Sequence, residues 1–215
     1  VTWQQTPTRT GSVTTTSRLT DWKTPINLGV GITVNKTVIN HGLSLNSSSF
    51  APYRVGTTAV TLSSSTLFAP GTYTVSETTD SRYNQTFTGD CNSGGQITVS
   101  TGSAKFCTIT NEEKLAYITV NKTVINHGKN FTTSNLAPYK VGSTTVTLGA
   151  QTPINSGSYM ITESTSSQYT LTYAGDCFTN GSIVLSAGDN KVCNLTNEEI
   201  VVGNSSQSLA GIMIY

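Results

Sequence analysis

Lys36, Glu77 and Asn111 each stand where a period-two alternation calls for an apolar side chain. Lys36 shares a face with Ile32, Val34 and Val38, Glu77 with Tyr73 and Val75, and Asn111 with Cys107 and Ile109. The same types return as Lys122, Glu163 and Asn197, each 86 residues further on. A buried Lys or Glu is costly unless partnered, so finding this set twice asks for a reason.

One reaction accounts for it. Desolvation favours the neutral amine of a lysine and the protonated carboxyl of a glutamic acid. A neutral amine can attack the carboxamide of Asn while the carboxyl polarises that group and moves protons. Ammonia leaves and a Lys–Asn isopeptide bond remains, a single self-directed use of nucleophilic and acid–base chemistry. The sequence thus predicts Lys36–Asn111 assisted by Glu77 and Lys122–Asn197 assisted by Glu163. A buried hydrogen-bonded network without a covalent bond, or simple exposure at sheet edges, are the alternatives.

The elements that must position these residues come from an internal duplication. Residues Ile32 to Gly42 recur unchanged as Ile118 to Gly128, and aligning 32–113 on 118–199 without a gap gives 42 identities in 82 positions. Gly, Pro, Asn and Ser clusters punctuate short alternating runs every 8–12 residues. Seven or so strands per copy describe a β-sandwich. The expected fold is therefore all-β: a sandwich at 32–113, a stiff linker at 114–117 without Gly or Pro, a sandwich at 118–199, and extended arms at 1–31 and 200–215.

Composition narrows the function. Charged residues make up 11% of the chain, against roughly 25% in average soluble domains. Thr and Ser number 39 and 26, and the net charge is +1. Nucleic-acid binding by phosphate neutralisation needs clustered Lys and Arg, and a membrane span needs about 20 mostly apolar residues; neither pattern is present. His41 and His127 precede equivalent glycines without an evident carboxylate or nucleophile partner and read as loop histidines. There is no phosphate loop, HExxH or GxSxG motif. No enzyme acting on an external substrate, no metal and no cofactor is expected.

Cys91, Cys107, Cys177 and Cys193 form no CxxC pair, and the spacing within each copy is 16 residues. An even count at repeated spacing reads as a disulfide framework from an oxidising, extracellular setting. Val1 in place of Met is read as the start of a processed product.

The succession Val34-Asn35-Lys36, Tyr73 to Glu77 followed by Tyr83, and Thr108 to Asn111 resembles the B-type repeat domain of collagen-binding adhesins, which also occurs in Gram-positive pilins. Gly89-Asp90-Cys91 with Lys105 to Asn111 is similar to extracellular repeats of archaea and some bacteria. The resemblance spans both copies. It implies a prealbumin-like sandwich, and Lys36, Glu77, Asn111 and Lys122, Glu163, Asn197 as isopeptide triads. After Glu77 this sequence runs Thr78 to Tyr83 in place of the adhesins' Ala-Pro-x-Gly-Tyr.

Cys91–Cys107 and Cys177–Cys193 are the expected disulfides, with crossed pairing between copies as the alternative. Each would close a loop worth about 3 kcal/mol. Asn-x-Ser/Thr triplets at Asn35, Asn46, Asn84, Asn121, Asn130, Asn180, Asn194 and Asn204 are candidate glycosylation sites, though a Ser/Thr-rich chain generates such triplets by chance. The arms suggest intermolecular β-addition, with the N-terminal arm as the favoured donor, and a contact that does not close gives a filament. The expected function is a structural subunit of an extracellular filament or pilus, polymerising head-to-tail with copies of itself. A stalk module of a cell-surface adhesin, or a module binding glycans or proteins of other cells, are the alternatives.

Overall fold

The computed structural model describes residues 29–102 and 104–202. Among them the chain forms two β-sandwiches in tandem, each of eight strands, with no α-helix. The first repeat contains β1 (Val30–Ile39), β2 (Arg54–Val55), β3 (Thr58–Ala59), β4 (Ser65–Phe68), β5 (Gly71–Ser76), β6 (Tyr83–Gly89), β7 (Gln96–Val99) and β8 (Lys105–Glu113). The second contains β9 (Ala116–Ile125), β10 (Lys140–Val141), β11 (Thr144–Thr145), β12 (Gln151–Ile154), β13 (Gly157–Thr162), β14 (Tyr169–Gly175), β15 (Ser182–Leu185) and β16 (Asn190–Glu199). The sheets run β4-β1-β8-β6 and β3-β2-β5-β7, then β12-β9-β16-β14 and β11-β10-β13-β15.

The topology brings the first and last strands of each repeat side by side. β1 lies parallel to β8 and β9 parallel to β16, at the centre of their sheets. The alternation in β1 buries Val30, Ile32 and Val34, and that in β8 buries Cys107 and Ile109. Each repeat closes its own core. Ile32, Phe50, Val75, Ile97 and Ile109 fill the first, and Ile118, Leu136, Ile161, Ile183 and Leu195 the second. The cores differ by a compensated swap. Leu45 and Phe50 of the first correspond to Phe131 and Leu136 of the second, so ring volume moves across the site and is conserved. The aromatic partner follows the swap: Tyr83 packs edge-on against Phe50 at 5.2 Å, while Tyr169 stacks on Phe131 at 4.8 Å.

The joint between repeats is shorter than the 114–117 linker expected from sequence. β8 ends at Glu113 and β9 begins at Ala116, so only Lys114 and Leu115 intervene. Ala116 is fully buried in the second core, because its position continues the inward alternation of Ile118 and Val120. Side chains lock the joint. Glu113 is 1% exposed; its Oε2 accepts the backbone N–H groups of His41 (2.5 Å) and Leu43 (2.9 Å), and its Oε1 accepts the Ser156 hydroxyl (2.6 Å) from the second repeat. The Ser156 N–H donates to the His41 carbonyl at 2.7 Å.

Candidate functional site

Lys36 reaches the interior from β1, and Glu77 meets it from just beyond β5, across the sandwich. The Lys36 ammonium lies 3.1 Å from Glu77 Oε1 and 3.0 Å from Oε2, with side-chain exposures of 1% and 0%. In the second repeat Lys122 Nζ lies 2.7 Å from Glu163 Oε2, with side-chain exposures of 0% and 1%. Asn111 and Asn197 are both buried. In the ladders Val38 pairs with Asn111 and Val124 with Asn197, so each lysine stands two residues before the partner of its asparagine, on the same face. The structure therefore buries all three residues of each predicted triad, with the lysine against the glutamate in both repeats and against the asparagine in the second.

Burial pushes both lysines below their ordinary pKa, against the opposing pull of Glu77 and Glu163. The surroundings are aromatic and apolar. The Lys36 ammonium sits 4.6 Å from the centre of the Phe50 ring. The Tyr53 and Tyr139 hydroxyls are pushed up to about 12, by burial first and then by the charge of Glu77 and Glu163.

The two clusters are not identical. In the second, Lys122 Nζ donates to Asn197 Oδ1. In the first, Asn111 Oδ1 is buried without a hydrogen-bond partner among the described residues. Gln85, which pairs across the ladder with Asn111, donates to Glu77 Oε1 at 2.9 Å. Leu171 holds the equivalent place opposite Asn197. Gln85 gave no signal in the sequence because the two copies differ there, with Leu171 at the matching position. The buried Glu113 was also missed, although a signal existed: it continues the Cys107, Ile109, Asn111 face and recurs as Glu199.

Cys91 is bonded to Cys107 and Cys177 to Cys193, with Cα separations of 5.3 and 5.4 Å. The histidines do have carboxylate neighbours, contrary to the sequence reading: His41 Nε2 lies 3.1 Å from Glu112 and His127 Nε2 lies 3.0 Å from Glu198. The pairs span 71 residues and form only through the β1–β8 and β9–β16 ladders. Both are at the surface, with no nucleophile in the described contacts. Of the glycosylation candidates, Asn46, Asn84, Asn121, Asn130, Asn180 and Asn194 are exposed and Asn35 is half-buried. Asn46 caps the short helical turn at Ser47–Phe50, Asn180 accepts the Ser182 N–H in the turn before β15, and Asn121 donates to Asn194 at 2.9 Å across the parallel ladder. Asn204 lies outside the described residues, as do nearly all of the 1–31 arm and residues 203–215 of the tail.

The fold and cluster define the class: tandem all-β sandwiches, each with a buried Lys–Glu–Asn set between its first and last strands. No family model matches the chain, and no curated protein matches it. Among solved structures the chain is similar to domains 3–4 of the Streptococcal High Identity Repeats in Tandem of a cell surface protein, at 13% identity and a TM-score of 0.32, covering 80% of this chain and 98% of that one. It is also similar to the major pilin protein of Streptococcus pyogenes, at 14% identity and a TM-score of 0.30, again covering 80% and 98%.

Proposed function

We propose that the chain is a structural subunit of an extracellular filament or pilus, whose two sandwich domains are each closed by a Lys–Asn isopeptide bond. The observation that carries this reading is the duplicated buried triad bridging parallel first and last strands. A bond from Lys36 to Asn111 would run from β1 to β8 directly. Tension entering at Val30 and leaving at Glu113 would then bypass residues 37–110. The second repeat would do the same from Lys122 to Asn197. A two-residue connection and a side-chain lock at the joint suit a load-bearing rod. The disulfides support assembly in an oxidising compartment.

In the reaction the neutral amine of Lys36 attacks Cγ of Asn111. The Nζ–Cγ bond forms and the Cγ–Nδ2 bond breaks. The Glu77 carboxyl takes a proton from Nζ and delivers one to Nδ2, which leaves as ammonia. No oxidant or other reactant is needed. Head-to-tail polymerisation by strand addition is the proposed assembly step, with residues 1–31 as donor. The outer strands β3, β4, β6 and β7 of the first repeat and β11, β12, β14 and β15 of the second have one unpaired backbone edge each within the described sheets.

Intact mass spectrometry tests the crosslinks: each bond removes one ammonia, about 17 Da, beyond the loss from two disulfides. A mass with no such deficit, after removal of any glycan, rejects them. Electron microscopy of native material tests assembly. Helical polymers support the filament, and monodisperse rods favour a stalk or binding module instead.

A further inference from the structure

We propose that Gln85 is a positioning residue that slows bond formation in the first repeat by holding the Glu77 carboxylate as a hydrogen-bond acceptor, and that Leu171 leaves the second repeat free to close sooner. The inference rests on reading the triads as isopeptide-forming sets.

The two clusters share Lys, Glu, Asn and the neighbouring tyrosine (Tyr53, Tyr139), yet their hydrogen bonds differ. Glu77 Oε1 accepts from both Lys36 (3.1 Å) and Gln85 (2.9 Å). Two N–H donors on Oε1 favour the ionised carboxylate, whereas the reaction needs the carboxyl to carry a proton to the Asn amide, and only Oε2, which has no hydrogen-bond partner among the described residues, is left to hold one. The same pair of contacts ties Lys36 to Glu77, and Asn111 Oδ1 remains without a donor. In the second repeat the side chain at the Gln85 position is aliphatic. There Lys122 contacts Glu163 and Asn197 together, so the amine already touches the carboxamide it must attack. Proximity of this kind is what bond-forming rates respond to.

A hollow of about 300 Å³ adjoins the first cluster, lined in part by Tyr83, Gln85, Asn111 and Lys114. Gln85 thus stands between Glu77 and a space that reaches Asn111, a path by which ammonia can leave and water can enter.

The test uses the full chain, synthesised in a cell-free system under oxidising conditions. It is quenched in denaturant at intervals and digested, and the two crosslinked peptides are counted separately. The variants are Gln85→Leu, the less shape-demanding Gln85→Met, and Leu171→Gln. The second repeat is expected to close about tenfold faster than the first, the worth of one hydrogen bond in rate terms. Gln85→Leu and Gln85→Met bring the first repeat to the second's half-time and rate–pH profile, a readout that a merely structural effect on folding would not move. Leu171→Gln slows the second repeat while leaving the first unchanged within the same molecule. Crosslinks that form in both repeats with equal half-times, or half-times that ignore these substitutions, overturn the role of Gln85. Absence of crosslinked peptide from both repeats at all times overturns the isopeptide reading itself, and the two failures are therefore distinct.

Discussion

If the proposed Lys36–Asn111 bond forms, preventing it while sparing the packing around it would expose how much of the domain's stability the bond carries. Glu77→Gln alone is a poor probe, because it strands a buried ammonium, which costs about 3–5 kcal/mol whether or not a bond exists. Lys36→Met with Glu77→Gln removes both charges at similar volume, a replacement that is near neutral for many buried ion pairs. What remains is the lost loop constraint. Lys36 and Asn111 enclose a loop that the Cys91–Cys107 bond shortens to about 60 residues, so chain entropy assigns the crosslink about 4 kcal/mol. A domain of this size moves about 4–8 °C per kcal/mol, which puts the first repeat's transition about 15–30 °C lower. Differential scanning calorimetry of the oxidised full chain reads this directly. The wild-type second repeat, whose Lys122–Glu163 pair is untouched, is the internal reference. A first-repeat transition within about 5 °C of wild type, in a preparation whose wild-type mass shows the bond, would refute the loop-entropy reasoning.

Three further outcomes test the joint between repeats and the first disulfide. A Cβ on Gly42 would lie 2.1 Å from the Ser156 carbonyl, whereas one on Gly128 would meet only Glu199 Oε1 at 3.8 Å, although both glycines have positive φ. Gly42→Ala should therefore open the joint between repeats, seen as a larger radius of gyration by X-ray scattering, while Gly128→Ala should leave it closed. The Glu113 carboxyl is held below its ordinary pKa: burial opposes ionisation but is outweighed by hydrogen bonds from Ser156, Leu43 and His41. Its contribution is present above the usual Glu range and is lost as pH falls through the lowered value. The same scattering measurement should then show the joint loosening on acidification, and Glu113→Gln should remove that pH dependence. Cys91→Ser with Cys107→Ser should lower the first repeat's stability by about 3 kcal/mol in denaturant titrations, with the second repeat unchanged.

The triads show how far one sequence can be read, because repetition supplied the signal. Lys36, Glu77 and Asn111 broke a period-two pattern that local backbone geometry imposes, and the second copy broke it at the same offsets. Strand type, inward face and repeat boundaries are near-neighbour properties, written in the spacing of Ile32, Val34, Val75 and Ile109. The cysteine pairs were legible for the same reason.

Tertiary structure decided what depends on residues far apart in the chain. That β1 runs parallel to β8 brings Lys36 within two ladder steps of Asn111's partner and sets His41 beside Glu112. Closing the sandwich carries Glu77 to Lys36 across its interior, and no periodicity states that distance. Docking of the second repeat brings Ser156 to Glu113 and turns a buried carboxylate into the lock of the joint. Gln85 belongs to the same class: its side chain matters because antiparallel pairing sets β6 against β8 at Asn111, while the matching Leu171 gave it no echo in the repeat. The sequence by itself determined which residues face inward. The packing of strands that are distant along the chain determined which of them meet.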